Sequence, residues 1–142
     1  MKFYIGTDHA GFEIKKDIEN ILKRLNCEVV DLGTYSKESV DYPDFGHKVA
    51  RAILKDEGSF GVVVCGTGIG ISISANKHKG IRAALCHDAY SAKMARAHND
   101  ANILAFGQRM VGLGVIESMI EAFVTTSFEG GRHLKRVEKI EV

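Results

Sequence analysis

The 142-residue sequence contains no tryptophan, one proline and only three cysteines. Cys27, Cys65 and Cys86 form no CxxC pair and have no histidine at zinc-site spacing, which argues against a structural zinc site or a disulfide framework. The formal net charge is only +1 at pH 7, so the chain lacks the basic surface typical of nucleic-acid or membrane binding. No apolar run approaches transmembrane length, and the first residues run directly into a strand pattern instead of a signal peptide. We therefore expect a cytoplasmic protein that binds neither nucleic acid nor membrane.

The chain is built from two alternating patterns. Short apolar runs rich in β-branched residues predict five strands, over 2–7, 28–32, 60–65, 81–86 and 102–106. Apolar residues at helical spacing predict helices over 12–25, from Pro43 to about 58, over 89–98, and beyond Arg109. Segment 69–79 is ambiguous, and we interpret it as a short helix because a glycine turn after a strand usually leads into one. The alternation predicts one α/β domain over 1–142, a three-layer αβα sandwich around a Rossmann-like five-stranded parallel sheet.

The most informative stretch is 62–70, with the sequence VVVCGTGIG. An apolar strand pattern stops at Cys65 and is followed by three glycines separated by single residues. Glycine lets the backbone approach a bound molecule closely, and the amide N–H groups of such a turn can hold an anion. Parallel sheets place ligands at the carboxyl ends of their strands, so this turn predicts chemistry on a small anion beside a thiol. An ordinary turn next to a buried cysteine is the alternative interpretation.

Further polar side chains follow other predicted elements. Asp8 and His9 come directly after the first strand, where Asp8 could either serve a reaction or simply cap the next helix. His98 ends a helix, a position that also suits a histidine that only interacts with the helix dipole. Arg132 and Arg136 are four residues apart and would share one face of a helix. They suit a phosphate clamp, although such pairs are usually ordinary solvated surface.

Eight segments together resemble a known family. They are GTDHAGF from Gly6, DYP from Asp41, CGTGIGIS from Cys65, ANK from Ala75, GIRA from Gly80, AHND from Ala97, LAFG from Leu104 and GGRH from Gly130. In this order, over essentially the whole chain, they are similar to the sugar-phosphate isomerases that include the B-type ribose-5-phosphate isomerases and the galactose-6-phosphate isomerase subunits.

The resemblance implies interconversion of D-ribose 5-phosphate and D-ribulose 5-phosphate, a step of the non-oxidative pentose phosphate pathway, through an enediolate. Cys65 matches the base that moves a proton between the first two carbons, and His98 matches the group that assists ring opening. Thr67 and Asp8 match the positions where hydroxyl protons are handled. The implied substrate contacts are the anion-hole turn, the phosphate ligands and further pocket residues: Gly66, Thr67, Gly68, Ile69 and Gly70; His9, Arg132 and Arg136; Asp8, Tyr42, Asn99 and Arg109.

The same resemblance implies no cofactor, no metal, and a homodimer or tetramer with its sites at the subunit interface. Two other functions stay open. A hexose 6-phosphate isomerase, acting on galactose or allose 6-phosphate, would use the same chemistry in a longer pocket. A non-catalytic phosphate-ligand binding module could share the fold, but it would leave Cys65 and His98 without a role. The turn also lacks the GxGxxG order and the later acidic residue of dinucleotide sites.

Overall fold

The computed structural model describes all 142 residues, which form five strands and six helices. The strands are β1 (Lys2–Thr7), β2 (Glu28–Asp31), β3 (Phe60–Cys65), β4 (Ala83–Leu85) and β5 (Ile103–Gly107). They make one sheet in the order β2-β1-β3-β5-β4, and every pairing is parallel. The helices are α1 (Lys15–Arg24), α2 (Tyr42–Leu54), α3 (Ile69–Ala75), α4 (Ala89–Asn99), α5 (Leu113–Thr125) and α6 (Arg132–Glu138).

The helices cover both faces of the sheet. One face packs against α1, α4 and α5 through a cluster that includes Phe3, Val64 and Phe123. The other packs against α2 and α3 through a smaller cluster that includes Val49 and Cys65. Burial on both faces explains why the strands read as continuous apolar runs. The predicted αβα sandwich is confirmed.

Most predicted elements are confirmed, but several boundaries differ. Helix α1 starts at Lys15 instead of Phe12, and α3 ends at Ala75 instead of Lys79. The ambiguous segment after the glycine turn is helical, and Asp88 forms the capping box that opens α4. Helix α2 ends at Leu54, four residues before the predicted end, because Asp56 turns back to accept a hydrogen bond from Tyr4 at 2.8 Å. Strand β4 begins two residues late because the backbone N–H groups of Arg82 and Ala83 donate to asparagine side chains.

The connections change direction between β1 and β3. The chain leaves β1 through α1 towards β2, at one edge, whereas it leaves β3 through α3 towards the opposite edge. In open parallel sheets a ligand crevice forms at such a switch point, beyond the carboxyl ends of the strands. The segments that start at Asp8 and at Cys65 meet there. We find no helix with the length and apolar character needed to cross a bilayer.

Phe123 offers a test of the larger core cluster. Its ring is fully buried and meets the rings of Phe3 and Phe60, each at a centroid distance of 6.2 Å. Phe123→Ala should lower the free energy of unfolding by about 3–5 kcal/mol, because it leaves a cavity between α5 and the sheet. Chemical denaturation measures this. The exposed Lys16→Ala serves as the control and should change stability by less than about 0.5 kcal/mol; equal effects would contradict the assigned core.

Candidate active site

An open pocket of about 500 Å³ lies at the switch point between β1 and β3. Its lining comes from the segment after β1, the start of α2, the glycine turn after β3 and the segment after β5. The residues are Asp8, His9, Ala10, Tyr42, Cys65, Gly66, Thr67, Ile69, Gly70, Ile73 and Arg109. The pocket thus brings together nine of the residues that the sequence predicted. Ile73 was not predicted, because its alternation with Ile71 resembles a buried strand.

Cys65 is the only nucleophilic thiol in this pocket. It ends β3, and only 4% of the residue is exposed. The backbone N–H of Gly68 donates to its Sγ at 3.2 Å. This amide fixes the position of the sulfur at the floor of the pocket.

The glycine turn is pressed against the end of β5. A Cβ on Gly68 would lie 2.5 Å from the carbonyl carbon of Phe106, and a Cβ on Gly107 would lie 2.4 Å from that of Thr67. Gly68 also has a φ of +79°, which side chains other than glycine rarely adopt. Backbone hydrogen bonds complete the contact, from Gln108 to the carbonyl of Cys65 at 3.0 Å and from Arg109 to that of Gly66 at 3.1 Å. Two glycines are therefore needed to hold the turn where it presents Cys65.

Two long side chains lie over the turn from opposite elements. The guanidinium of Arg109 is so close to Gly66 that a Cβ there would stand 3.0 Å from Nη1. The ring of Tyr42 lies on Gly70, where an added Cβ would meet the ring at 2.4 Å. Both side chains are largely exposed, so they form walls of the pocket instead of filling the core.

Asp8 and His9 are fixed by their neighbours. The Asp8 carboxylate accepts from the N–H groups of Ala10 and Gly11 through Oδ1, at 2.9 and 3.2 Å. These bonds close the turn after β1, so the helix-capping interpretation is wrong: α1 has Ile14 at its N-cap and no side-chain cap. Oδ2 of Asp8 is left for another partner. The N–H of Val40 donates to Nδ1 of His9 at 3.1 Å. A neutral His9 therefore carries its proton on Nε2 and can donate a hydrogen bond from that nitrogen.

A second polar cluster lies elsewhere in the chain. The imidazoles of His98 and His133 stack with their centroids 4.3 Å apart and their planes 12° apart. His133 is buried and belongs to α6, the same helix as the exposed Arg132 and Arg136. Burial lowers the pKa of His133, and the nearby charges of His98 and Arg132 lower it further. The predicted site residues His98, Asn99, Arg132 and Arg136 all lie outside the Cys65 pocket.

The two clusters stand at opposite ends of the sheet. Helix α4 starts beyond the carboxyl end of β4 and returns to the start of β5, so His98 lies near the amino ends of the strands. Arg96, two residues before His98 in α4, places its Cζ 4.9 Å from the ring centroid of Phe60, the first residue of β3. Cys65 is the last residue of the same strand, about 16 Å further along at a rise of ~3.3 Å per residue. One chain therefore does not bring Cys65 and His98 to a common substrate.

Neither the second cluster nor the cavity beside the carboxyl terminus offers an alternative centre. His98, Glu129 and His133 each offer a ligand atom within 4.8 Å of the others. An ion cannot lie in the planes of both stacked rings, where the nitrogen lone pairs point, so the arrangement does not suit a metal. A cavity of about 470 Å³ between the 76–84 segment and the carboxyl terminus shares only Asn99 with the predicted site and contains no cysteine.

Comparisons with known proteins identify the family of this chain. A sequence profile described as Ribose/Galactose Isomerase matches residues 3–140. The chain belongs to this ribose/galactose isomerase family. Ribose-5-phosphate isomerase B of Escherichia coli is 48% identical over 139 residues, which cover 98% of this chain and 93% of that protein.

Solved structures of family members have the same fold. A ribose-5-phosphate isomerase B from Clostridium thermocellum is 54% identical, with a TM-score of 0.95 over 99% of this chain and 95% of its own. The Thermotoga maritima protein is 48% identical, with a TM-score of 0.94 over 99% and 97%. The family identified from the sequence motifs is therefore confirmed.

The three thiols of this ribose/galactose isomerase family member should differ in reactivity. Burial raises the pKa of Cys86 to about 11, and burial also raises that of Cys27. Only Cys65 faces a pocket and accepts an amide hydrogen bond. Iodoacetamide near pH 8 should thus modify Cys65 first and spare the other two until the chain unfolds. Mass spectrometry of timed digests measures this, and labelling of Cys27 or Cys86 at the rate of Cys65 would contradict it.

Proposed function

We propose that this protein is a ribose-5-phosphate isomerase that interconverts D-ribose 5-phosphate and D-ribulose 5-phosphate. The observation that carries the proposal is the Cys65 thiol, which accepts the Gly68 amide at the floor of the switch-point pocket. Relatives that cover nearly the whole chain carry the name ribose-5-phosphate isomerase B, which supports this substrate. Residues 1–142 act as a single catalytic domain in this proposal.

The central step moves one proton between neighbouring carbons. The Cys65 thiolate removes the proton from C2 of the open-chain aldose, and the electrons of that bond move onto the C1 carbonyl oxygen to give an enediolate. The O2 hydroxyl proton is transferred to O1, and the thiol returns its proton to C1 to give the ketose. No electrons leave the substrate, so the reaction needs no redox cofactor.

The turn and its neighbours handle the charge that develops in this step. Two of its amides already have partners, since that of Gly68 donates to Cys65 and that of Ile69 donates to Thr67 Oγ1 at 3.2 Å. The amides of Gly66, Thr67 and Gly70 have no such partner within the chain. We propose that these three amides donate hydrogen bonds to the enediolate oxygens, because donors fixed in advance stabilise such negative charge most effectively. Thr67 and Asp8 Oδ2 would shuttle the hydroxyl protons.

The remaining predicted residues would act on the ring and the phosphate. In ring opening the C1–O4 bond breaks, O4 takes a proton, and the anomeric hydroxyl loses one; His98 would exchange these protons. Arg132 and Arg136 would bind the phosphate, joined by His9, whose Nε2–H is free to donate. Tyr42 lines the pocket, and Asn99 and Arg109 would contact the sugar. Binding the phosphate away from C1 and C2 aligns the reacting carbons with the base.

A second copy of the chain would complete each site. Cys65 and His98 stand at opposite ends of one protomer, so a shared substrate requires the Cys65 end of one subunit to meet the His98 end of another. A twofold axis supplies two such contacts at once. We propose a homodimer, or a tetramer made of two dimers, with two sites at each interface. The three free cysteines suit a reducing compartment, and we propose the cytoplasm.

Substitution of two of the three buried thiols tests the reaction. Cys65→Ala should abolish conversion of ribose 5-phosphate while substrate still binds, because only the base is lost; Cys86→Ala should change packing alone and stay active. Formation of ribulose 5-phosphate and calorimetric binding measure the two effects. Full activity of the Cys65 variant would remove the thiol from the mechanism. A native enzyme that prefers galactose or allose 6-phosphate would instead indicate a hexose phosphate isomerase.

Mixing two inactive variants tests the shared site. Cys65→Ala breaks one half of every site, and the double variant Arg132→Ala, Arg136→Ala breaks the other half. When the two are unfolded together and refolded, half of the dimers are mixed, and each has one intact site. Activity should recover to about a quarter of the native value. If the mixture recovers no activity, each site is built within one chain. Refolding either variant alone provides the control.

A further inference from the structure

Glu129 lies where the two stacked histidines meet. Its Oε1 is 3.8 Å from Nε2 of His98 and 4.0 Å from Nε2 of His133. The sequence motifs did not single out this residue, because an exposed glutamate before two glycines has no distinguishing pattern. No other carboxylate lies within ion-pair distance of either ring.

The position of Glu129 is determined by the backbone. Its N–H donates to the carbonyl of Ala97 at 3.0 Å, which attaches the segment before α6 to the last turn of α4, directly beside His98. Gly130 and Gly131 then take positive φ values of 66° and 55°, and α6 begins at Arg132. His133 is thereby brought under the ring of His98, while the Glu129 carboxylate reaches the edge of both rings.

The two rings differ in how exposed they are. His133 is 6% exposed, and the cations of Arg132 and Arg136 lie close to it, so a charge on its ring is disfavoured. His98 is 40% exposed at its side chain and can exchange protons with solvent or a ligand. Two stacked imidazolium rings would repel each other. His98 is therefore the ring of this pair that a ligand can reach, and the buried His133 supports it from below.

We propose that Glu129 is a positioning residue for ring opening that acts through His98. Its carboxylate orients the His98 imidazole against the buried His133 ring and stabilises the protonated form that gives its proton to O4 of the sugar. Proton transfer of this kind requires the correct ring orientation as well as the correct protonation state. This inference rests on the ring-opening role proposed for His98, and it extends that role to a residue that does not contact substrate.

A pair of substrates separates ring opening from proton transfer at C2. Ribose 5-phosphate is mostly a closed ring, whereas 4-deoxyribose 5-phosphate lacks the hydroxyl that closes a furanose and reacts as the open chain. Glu129→Gln keeps the shape and removes the charge. It should lower kcat/KM on ribose 5-phosphate by about tenfold, less than loss of a general acid itself, and leave the 4-deoxy substrate within about twofold.

Two controls accompany this comparison. Glu121→Gln makes the same chemical change at an exposed position of α5 that forms no ion pair, and it should leave both substrates unaffected. Glu129→Asp retains the charge and should recover part of the activity on ribose 5-phosphate. Equal losses on both substrates in Glu129→Gln would show that the residue merely supports the fold of the site and would overturn the proposal, as would no loss on either.

A spectroscopic measurement tests the contact independently of turnover. The ¹⁵N shifts of a histidine ring report which nitrogen carries the proton, so those of His98 should change in Glu129→Gln and not in Glu121→Gln. Unchanged shifts would overturn the proposal. If the native protein converts neither sugar phosphate, the proposed function fails by itself, and the ¹⁵N comparison then decides whether Glu129 controls the His98 ring.

Discussion

The close contact of two backbone segments determines the rest of the site. The glycine turn meets the end of β5 at distances that leave no room for a Cβ on Gly68 or Gly107. Because backbone hydrogen bonds from Gln108 and Arg109 hold the turn against the end of β5, the Gly68 amide stays directed at the Cys65 sulfur. A base that removes a weakly acidic carbon-bound proton must be close and fixed before the substrate arrives. Backbone contact supplies that rigidity where a mobile side chain could not.

The close packing of α2 against the sheet also determines where one wall of the pocket lies. Helix α2 packs so near the sheet that a Cβ on Gly6 or Gly61 would meet Val49 at 2.7 or 2.6 Å. This helix begins at Tyr42, so its close packing lays the tyrosine ring across the glycine turn. Glycines in β1 and β3 thus affect the pocket without reaching it. The smaller core cluster and the candidate active site are one continuous packing unit.

How much could be predicted from sequence depended on how local each signal was. The apolar runs of β1 and β3, the capping residue Asp88 and the glycine turn are local, and each was placed correctly. The early end of α2 depends on Tyr4, which is 52 residues from Asp56 in sequence, so periodicity could not reveal it. Glu129 is distant from His98 in sequence in the same way. The family motifs imply that His98 and the arginines belong to the site, but they could not locate these residues at the opposite end of the sheet.

The division of the site follows from the chemistry and from the topology together. A parallel sheet offers one rim for ligands, and the rim here is occupied by Cys65, its turn and Asp8. Helices that return between strands end at the opposite rim, and His98 and the α6 arginines lie there. In the proposed reaction the buried Cys65 and Asp8 serve the step at C2, while the half-exposed His98 serves ring opening, which exchanges protons. Each chain carries one set of groups at one end of the sheet and the other set at the opposite end. A symmetric partner can bring the two different ends together, so association would be a condition of catalysis.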